Sequence, residues 1–247
     1  MRRTRTWQLV AGLLVLSLVL YAALFALYSD RGGDIGFYTL LDIAFIPVSA
    51  VLFTLVINRL LEQREKEALL NKLNMVVGAF FSETGTELID RLVAFDGEVH
   101  TVRPHLLFTG TWKAADFDGA RRSVAGHESG VRIDAGDLEG LKAFLVSQRG
   151  FLLRLLENQT LLEHETFTDM LWAVFHLTEE LAARSDLSAM PPADHRHVEL
   201  DMARAYGRLL SEWLRYVEHL KGQYPYLYSF AVRMNPFDPD AHVTVEV

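Results

Sequence analysis

The sequence contains no cysteine among its 247 residues. This excludes disulfide frameworks, thiolate zinc sites, iron–sulfur clusters and cysteine nucleophiles. Charge is also scarce at its start, because only four of the 24 basic and three of the 32 acidic residues lie in the first 57. The remaining 20 basic and 29 acidic residues give residues 58–247 a net charge of −9. Because such an acidic segment repels nucleic acid, the composition predicts no nucleic-acid partner.

Several motifs that carry enzyme chemistry are missing as well. The chain has no glycine-rich dinucleotide loop, no Walker A lysine loop and no serine nucleophile elbow. His164, in the stretch HETFTD, lacks the second histidine that a zincin helix needs. The sequence therefore favours a non-enzymatic role, and it indicates no cofactor.

The first 57 residues are rich in apolar side chains. Residues 7–28, WQLVAGLLVLSLVLYAALFALY, carry no charge, and residues 37–57, FYTLLDIAFIPVSAVLFTLVI, carry only Asp42. A helix of about 20 apolar residues is long enough to cross a bilayer. The pattern predicts two membrane spans joined by a short polar loop, so that residues 1–57 form a transmembrane hairpin.

The basic residues predict how this hairpin is threaded. Three arginines precede the first span and four basic residues follow the second between positions 59 and 72, whereas the loop has only Arg31. The positive-inside rule then places both termini in the cytoplasm. The prediction is a multi-pass protein of the plasma or inner membrane, with the lipid bilayer as a partner. Asp42, an ionisable group within a span, is a candidate for an ion or proton path in an oligomer.

After residue 57 the sequence changes to a charged helical pattern. No proline interrupts the chain between Ile57 and Asp90, and apolar residues recur every three or four positions. This spacing predicts one amphipathic stalk helix over 58–95. Gly78 and Gly85 within it weaken the helix locally or allow another backbone to come close.

Residues 96–247 are predicted to form a cytoplasmic helical domain with a short extended tail. Three further amphipathic patterns cover 137–156, 162–184 and 194–221. Pro191 and Pro192 separate the last two, and Asp194 is predicted to cap the last helix. With the stalk helix, these patterns suffice for a four-helix bundle, so the predicted fold class is all-α. The aromatic segment that starts at Tyr224 is predicted to leave the bundle, and either to close the core or to offer a ligand or partner surface.

Histidines and carboxylates on these helices are candidate metal ligands. The candidates are Glu83, Glu87, His176, Glu180, His197 and Asp201. His176 with Glu180, and His197 with Asp201, are spaced i,i+4, which puts each pair on one helix face, as in bundle proteins that bind two irons. A helical wheel argues against a metal, because it places His176, His197, Asp201 and Glu212 opposite the apolar stripes, on faces typical of solvent exposure. A plain bundle without metal is the favoured interpretation.

Three stretches carry a family resemblance: NMVVGAFFSETGTEL, LLEHETFTDMLWAVFHLTEEL and YPYLYSFAVRMNPF. They resemble segments of uncharacterised prokaryotic membrane proteins that have two N-terminal spans, a helical cytoplasmic region and no assigned activity. The resemblance implies an architecture and no chemistry. The sequence thus predicts a membrane-anchored interaction or regulatory module, with a protein partner or as a homo-oligomer. The alternatives are a bundle metalloprotein and a small oligomeric channel or transporter subunit.

Overall fold

The computed structural model describes residues 19, 22–23, 26, 32–158, 161 and 164–244. They divide into two compact units with the boundary between Lys66 and Glu67. The α-helices are α1 (Gly32–Phe80), α2 (Thr86–Val93), α3 (Val99–Val102), α4 (Ala114–Ala125), α5 (Leu138–Leu156), α6 (Glu165–Ala183), α7 (Pro192–Gln223) and α8 (Pro225–Arg233). A π-helix, Phe81–Gly85, follows α1, and two 3-10 helices cover Arg103–His105 and Ile133–Ala135. Within the described ranges, β pairing is limited to one isolated bridge between Asp96 and Val131. The all-α prediction is confirmed.

The predicted transmembrane hairpin is not supported. Its first span, residues 7–28, lies almost wholly outside the described residues. Its second span, residues 37–57, belongs to α1. Over the part of the chain that the structure describes, no helix combines the length and the apolar character needed to cross a membrane. This finding contradicts the predicted location, a multi-pass protein of the plasma or inner membrane with both termini in the cytoplasm.

The apolar run shares α1 with charged residues at both of its ends. Asp34 and Asp42 lie in the first third of this helix, and from Arg59 onward its sequence is highly charged. Length alone does not make a span, because each ionised side chain at bilayer depth costs free energy. Asp42, the candidate for an ion or proton path, lies within α1.

In the C-terminal unit, α7 is the central helix. It is 32 residues long and packs against α2, α4, α6 and α8, while α5 packs against α6. Its buried side chains include Tyr206, Leu210 and Trp213. Burying a large apolar side chain stabilises a fold by about 1.5–3 kcal/mol. Because partners cover α7 on several sides, this one helix organises the core of the unit.

The helices of this unit lie near their predicted positions, with two corrections. α7 begins at Pro192, so Asp194 lies in its first turn and is not the cap. Proline fits this first helical position because its missing N–H would have no partner there. The segment that starts at Tyr224 does not leave the helical unit, because Pro225 starts α8 in the same way.

The predicted stalk helix, residues 58–95, corresponds to the end of α1, the π-helix Phe81–Gly85 and α2. Phe80 and Phe81 are adjacent in sequence, yet both are fully buried. The ring of Phe80 meets that of Phe167 edge-on at 5.6 Å, and the ring of Phe81 stacks on Tyr216 at 5.0 Å. The wider π turn changes the helical phase at this point. Gly85 is needed here, because a Cβ atom would lie 2.6 Å from both phenyl rings.

Candidate metal centre

Helices α6 and α7 lie antiparallel, joined by residues 184–191. Contacts between them occur in opposite order along the two helices: His176 meets Asp201, and the earlier Asp169 meets the later Arg208. An i,i+4 pair on one helix can therefore face an i,i+4 pair on the other. This arrangement brings distant sequence positions to one edge of the helix pair.

Four of the six sequence candidates meet at this edge. Nε2 of His176 lies 3.2 Å from Oδ2 of Asp201, and Nε2 of His197 lies 3.4 Å from the same oxygen. Glu180 lies beside them, with Oε2 3.5 Å from Nε2 of His197 and Oε1 3.9 Å from Nε2 of His176. The ligand-type atoms of His176, His197 and Asp201 all lie within 4.8 Å of one another. We call these four residues the α6–α7 cluster.

Asp201 is the buried member of the cluster. Its side chain is 2% exposed, whereas those of His176 and His197 are 47% and 51% exposed. Oδ1 of Asp201 accepts a hydrogen bond from Nη1 of Arg204 at 2.5 Å. Oδ2 has no hydrogen-bond partner among the described residues, although both imidazoles are near. A buried carboxylate oxygen needs a compensating positive charge or donor, which a protonated imidazole or a bound cation would supply.

Two arginines hold the carboxylates of Asp201 and Glu180 in place through hydrogen bonds. Arg204 holds Asp201, and Nη1 of Arg184 donates to Oε2 of Glu180 at 2.7 Å. The bond from Arg184 lowers the pKa of the Glu180 carboxyl group, so the folded protein favours its charged form. Sequence reasoning missed both arginines. Their spacing, four residues after Glu180 and three after Asp201, was the signal that could have indicated them.

The remaining candidates lie elsewhere. Glu83 is exposed in the π-helix, and Glu87 is exposed in α2, where it pairs with Arg91 at 2.7 Å. Asp42 lies in the N-terminal unit. In the described ranges, no second group of three or more histidine or acidic side chains converges like the α6–α7 cluster.

The helical-wheel interpretation needs correction. His176 and His197 are exposed, but Asp201 and Glu212, assigned to the same solvent face, are buried. α7 has partners on several sides, so a polar stripe on it does not have to face water. A wheel also treats each helix alone, and so it cannot show that the polar edges of α6 and α7 meet.

Asp96 and His127 form a second pair of an acid and an imidazole, and this pair has a structural role. Nε2 of His127 lies 2.7 Å from Oδ2 of Asp96, and both side chains are almost fully buried. The Glu98 N–H donates to Oδ1 of Asp96, and Oγ1 of Thr101 lies 3.3 Å from Nδ1 of His127. All four polar side-chain atoms of the pair have partners. The pair therefore ties the loop after α4 to the chain around α3, a link between residues 31 positions apart that no periodic pattern could indicate.

Fold and cluster together define an all-α protein with imidazoles and carboxylates converging between two antiparallel helices. Residues 69–233 match the family model described as Uncharacterized protein MJ1433, C-terminal helical domain, and residues 2–61 match MJ1433, N-terminal helical domain. The chain is 41% identical over 226 residues to Uncharacterized protein MJ1433 of Methanocaldococcus jannaschii, covering 92% of this chain and 90% of that relative. It belongs to the MJ1433 family.

No solved structure matches the chain. The predicted resemblance to a family of uncharacterised helical proteins is confirmed. The two membrane spans that the resemblance implied are not supported.

Proposed function

We propose that the protein is a non-enzymatic regulatory module that binds one divalent transition-metal ion between α6 and α7. The ligands are His176, His197 and Asp201, with Glu180 as a fourth. The observation that best supports this is Oδ2 of Asp201, which is buried, has no hydrogen-bond partner among the described residues, and lies 3.2 and 3.4 Å from two imidazole nitrogens.

Two distances, from Oδ2 of Asp201 to the two imidazole nitrogens, agree with metal coordination. Nitrogen and oxygen ligands lie about 2.0–2.2 Å from a zinc ion, so neighbouring ligand atoms around it are about 3.0–3.5 Å apart. Both distances from Oδ2 of Asp201 fall within this range. An ion between the three atoms would use the lone pairs of both imidazoles and neutralise the buried carboxylate oxygen.

The ligand types select the class of metal. Imidazole nitrogen suits zinc, iron, nickel and copper, whereas magnesium and calcium prefer all-oxygen sites. The bonds from Arg204 to Asp201 and from Arg184 to Glu180 would act as outer-shell contacts that orient the ligands. Because imidazole binds metal only in its neutral form, affinity should fall in acid.

The position of the cluster supports a regulatory role. Its residues come from both sides of the connector 184–191, so a bound ion would join α6 to α7 directly. A ligand that binds only the native state stabilises that state. Metal concentration would thereby set how firmly α6 is held against α7. The interaction partner, another protein or a second copy of the chain, remains a prediction.

Metal analysis of the full chain tests this proposal. We expect the protein, purified without chelators or a metal-binding tag, to contain close to one equivalent of a transition metal. After the metal is stripped, calorimetric titration with Zn²⁺ should show one saturable site. His176→Ala and Asp201→Asn should each lose it, whereas His195→Ala, on the same helix as His197 but outside the cluster, should keep it.

Two outcomes would overturn the proposal. One is a stripped wild-type protein with no saturable Zn²⁺ site. The other is a His176→Ala variant that binds Zn²⁺ as tightly as the wild type does.

A further inference from the structure

A cavity of about 560 Å³ lies between the π-helix, α2, α7 and α8. It shares no lining residue with the α6–α7 cluster. Four aromatic side chains line it: Phe81 stacks on Tyr216 with the ring planes 13° apart, and Trp213 and Phe230 are the other two. Trp213 is 2% exposed and Phe230 is 47% exposed, so the aromatic lining extends from the core to the surface.

The π-helix brings Phe81 into this lining. Phe80 belongs to the core against Phe167, and an α-helix would turn the next side chain by about 100°. The wider turn lets Phe81 remain buried and pack against Tyr216. π turns inside helices are frequent at functional sites.

The charged residues that line the cavity all have one sign. Glu87, Asp90 and Asp238 are carboxylates, and the described lining residues include no lysine, arginine or histidine. Glu87 pairs with Arg91, which lies outside the lining, while Asp90 is exposed and has no ion-pair partner among the described residues. The cavity thus combines aromatic side chains with a carboxylate edge, and the guanidinium group of Arg233, which is not a lining residue, lies 5.9 Å from the ring of Phe230.

We propose that this cavity binds a small organic cation, a protonated amine or quaternary ammonium group on an apolar body. Its volume lies within the range of about 300–1,000 Å³ typical of small-molecule sites. Aromatic faces attract cations through their ring quadrupoles, and the carboxylates add a direct electrostatic attraction. The apolar body would contact Tyr216 and Phe230, the accessible aromatic side chains of the lining, with the cation towards Asp90. The net charge of −9 on residues 58–247 favours the approach of such a ligand.

Three probes with the same phenylbutyl body test the charge preference on the full chain: 4-phenylbutylamine, 4-phenylbutanol and 4-phenylbutyrate. We expect calorimetry to show the amine binding about tenfold more tightly than the alcohol, the size expected of a partly desolvated cation–aromatic contact. The carboxylate probe should bind most weakly. Equal affinity for the amine and the alcohol, or no measurable binding of the amine, would overturn the proposal.

Three variants locate the binding. Asp90→Asn should remove most of the preference for the amine, and Phe230→Ala should weaken the binding of both the amine and the alcohol. Glu83→Gln, an exposed acid of the π-helix that does not line the cavity, is the matched control and should change neither. An unchanged amine preference in Asp90→Asn would show that the cation does not bind here. Circular dichroism of each variant separates lost binding from lost folding.

Discussion

Arg184, the residue after α6, forms two parallel hydrogen bonds to Asp194 in the first turn of α7. Nη2 lies 2.7 Å from Oδ1 and Nε lies 2.9 Å from Oδ2. The same guanidinium group holds Glu180, and Lys142 on α5 donates to the Arg184 carbonyl at 2.5 Å. Such two-pronged charged pairs have strict geometry. The connector between α6 and α7 is therefore anchored next to the α6–α7 cluster.

This pair gives a prediction about acid stability. The bond from Arg184 lowers the pKa of Asp194 below its ordinary value of 3.8, so the folded state favours the charged carboxylate. The resulting stabilisation is present above the unfolded pKa and is lost as pH falls through the lower folded pKa. Asp194→Asn should therefore be less stable than the wild type at neutral pH, with a difference that shrinks as the pH falls below the ordinary carboxyl pKa of 3.8.

Urea unfolding across this pH range measures the difference. Arg184→Gln should give a similar pH pattern, because it removes the other half of the pair. A stability difference that stayed constant with pH would show that Asp194 acts through packing and not through its charge.

A second prediction concerns metal and thermal stability. Zn²⁺ at about 100 times its dissociation constant should add about 2.7 kcal/mol of stability to the full chain. His197→Ala should not respond to the metal. Without metal, the same variant should lie within about 0.5 kcal/mol of the wild type, because His197 is half exposed and lies outside the core. Thermal melts with and without Zn²⁺ check both points; an equal rise in Tm for the variant would contradict the proposed ligand set.

A third prediction tests which face of α1 enters the core. Leu73 is 2% exposed and Met75, two residues later, is 66% exposed. Leu73→Ala should destabilise the protein by about 2–5 kcal/mol, because it leaves a cavity in the core. Met75→Ala should change stability by less than about 0.5 kcal/mol. Chemical denaturation compares them, and similar losses in both variants would contradict the observed phase of the helix.

A fourth prediction compares two glycines. At Gly85 an added Cβ would lie 2.6 Å from the rings of Phe80 and Phe81, whereas at Gly207 it would meet nothing within 4 Å. Gly85→Ala should cost about 1–3 kcal/mol, because buried rings must shift. Gly207→Ala, inside α7, should stabilise the protein by about 0.5–1 kcal/mol, because alanine loses less backbone entropy in a helix. Unfolding midpoints check the two opposite signs, and a stabilised Gly85→Ala variant would contradict the close packing.

The spacing of apolar residues along the chain was enough to predict most of the helices of the C-terminal unit. The apolar stripe through Phe167, Leu171 and Val174 marks α6 because these side chains recur every three or four residues and are buried. The same spacing rule paired His176 with Glu180. The spacing of residues along the chain cannot predict features that depend on which helices are neighbours in the folded protein.

Asp201 shows this limit. Its spacing from His197 was visible in the sequence, but its burial depends on α7 having partners on several sides. The meeting of the two imidazoles depends on the antiparallel register of α6 and α7. The membrane prediction rested on the apolar character of residues 37–57, but no described helix combines the length and apolar character needed to cross a membrane.

The central helix α7 is synthesised after α2, α4 and α6, three of the helices that pack against it. Leu88 on α2 and Phe117 on α4 belong to helices that pack against α7, whose last residue is Gln223. Roughly 130 residues separate the end of α2 from that point, so at ribosomal speed the interval is on the order of 10 s. During this interval, the apolar faces of α2 and α4 are not covered by α7. The unit therefore closes its core only after α7 has been made, and nascent chains that stop before α7 are the ones most exposed to aggregation and to chaperones.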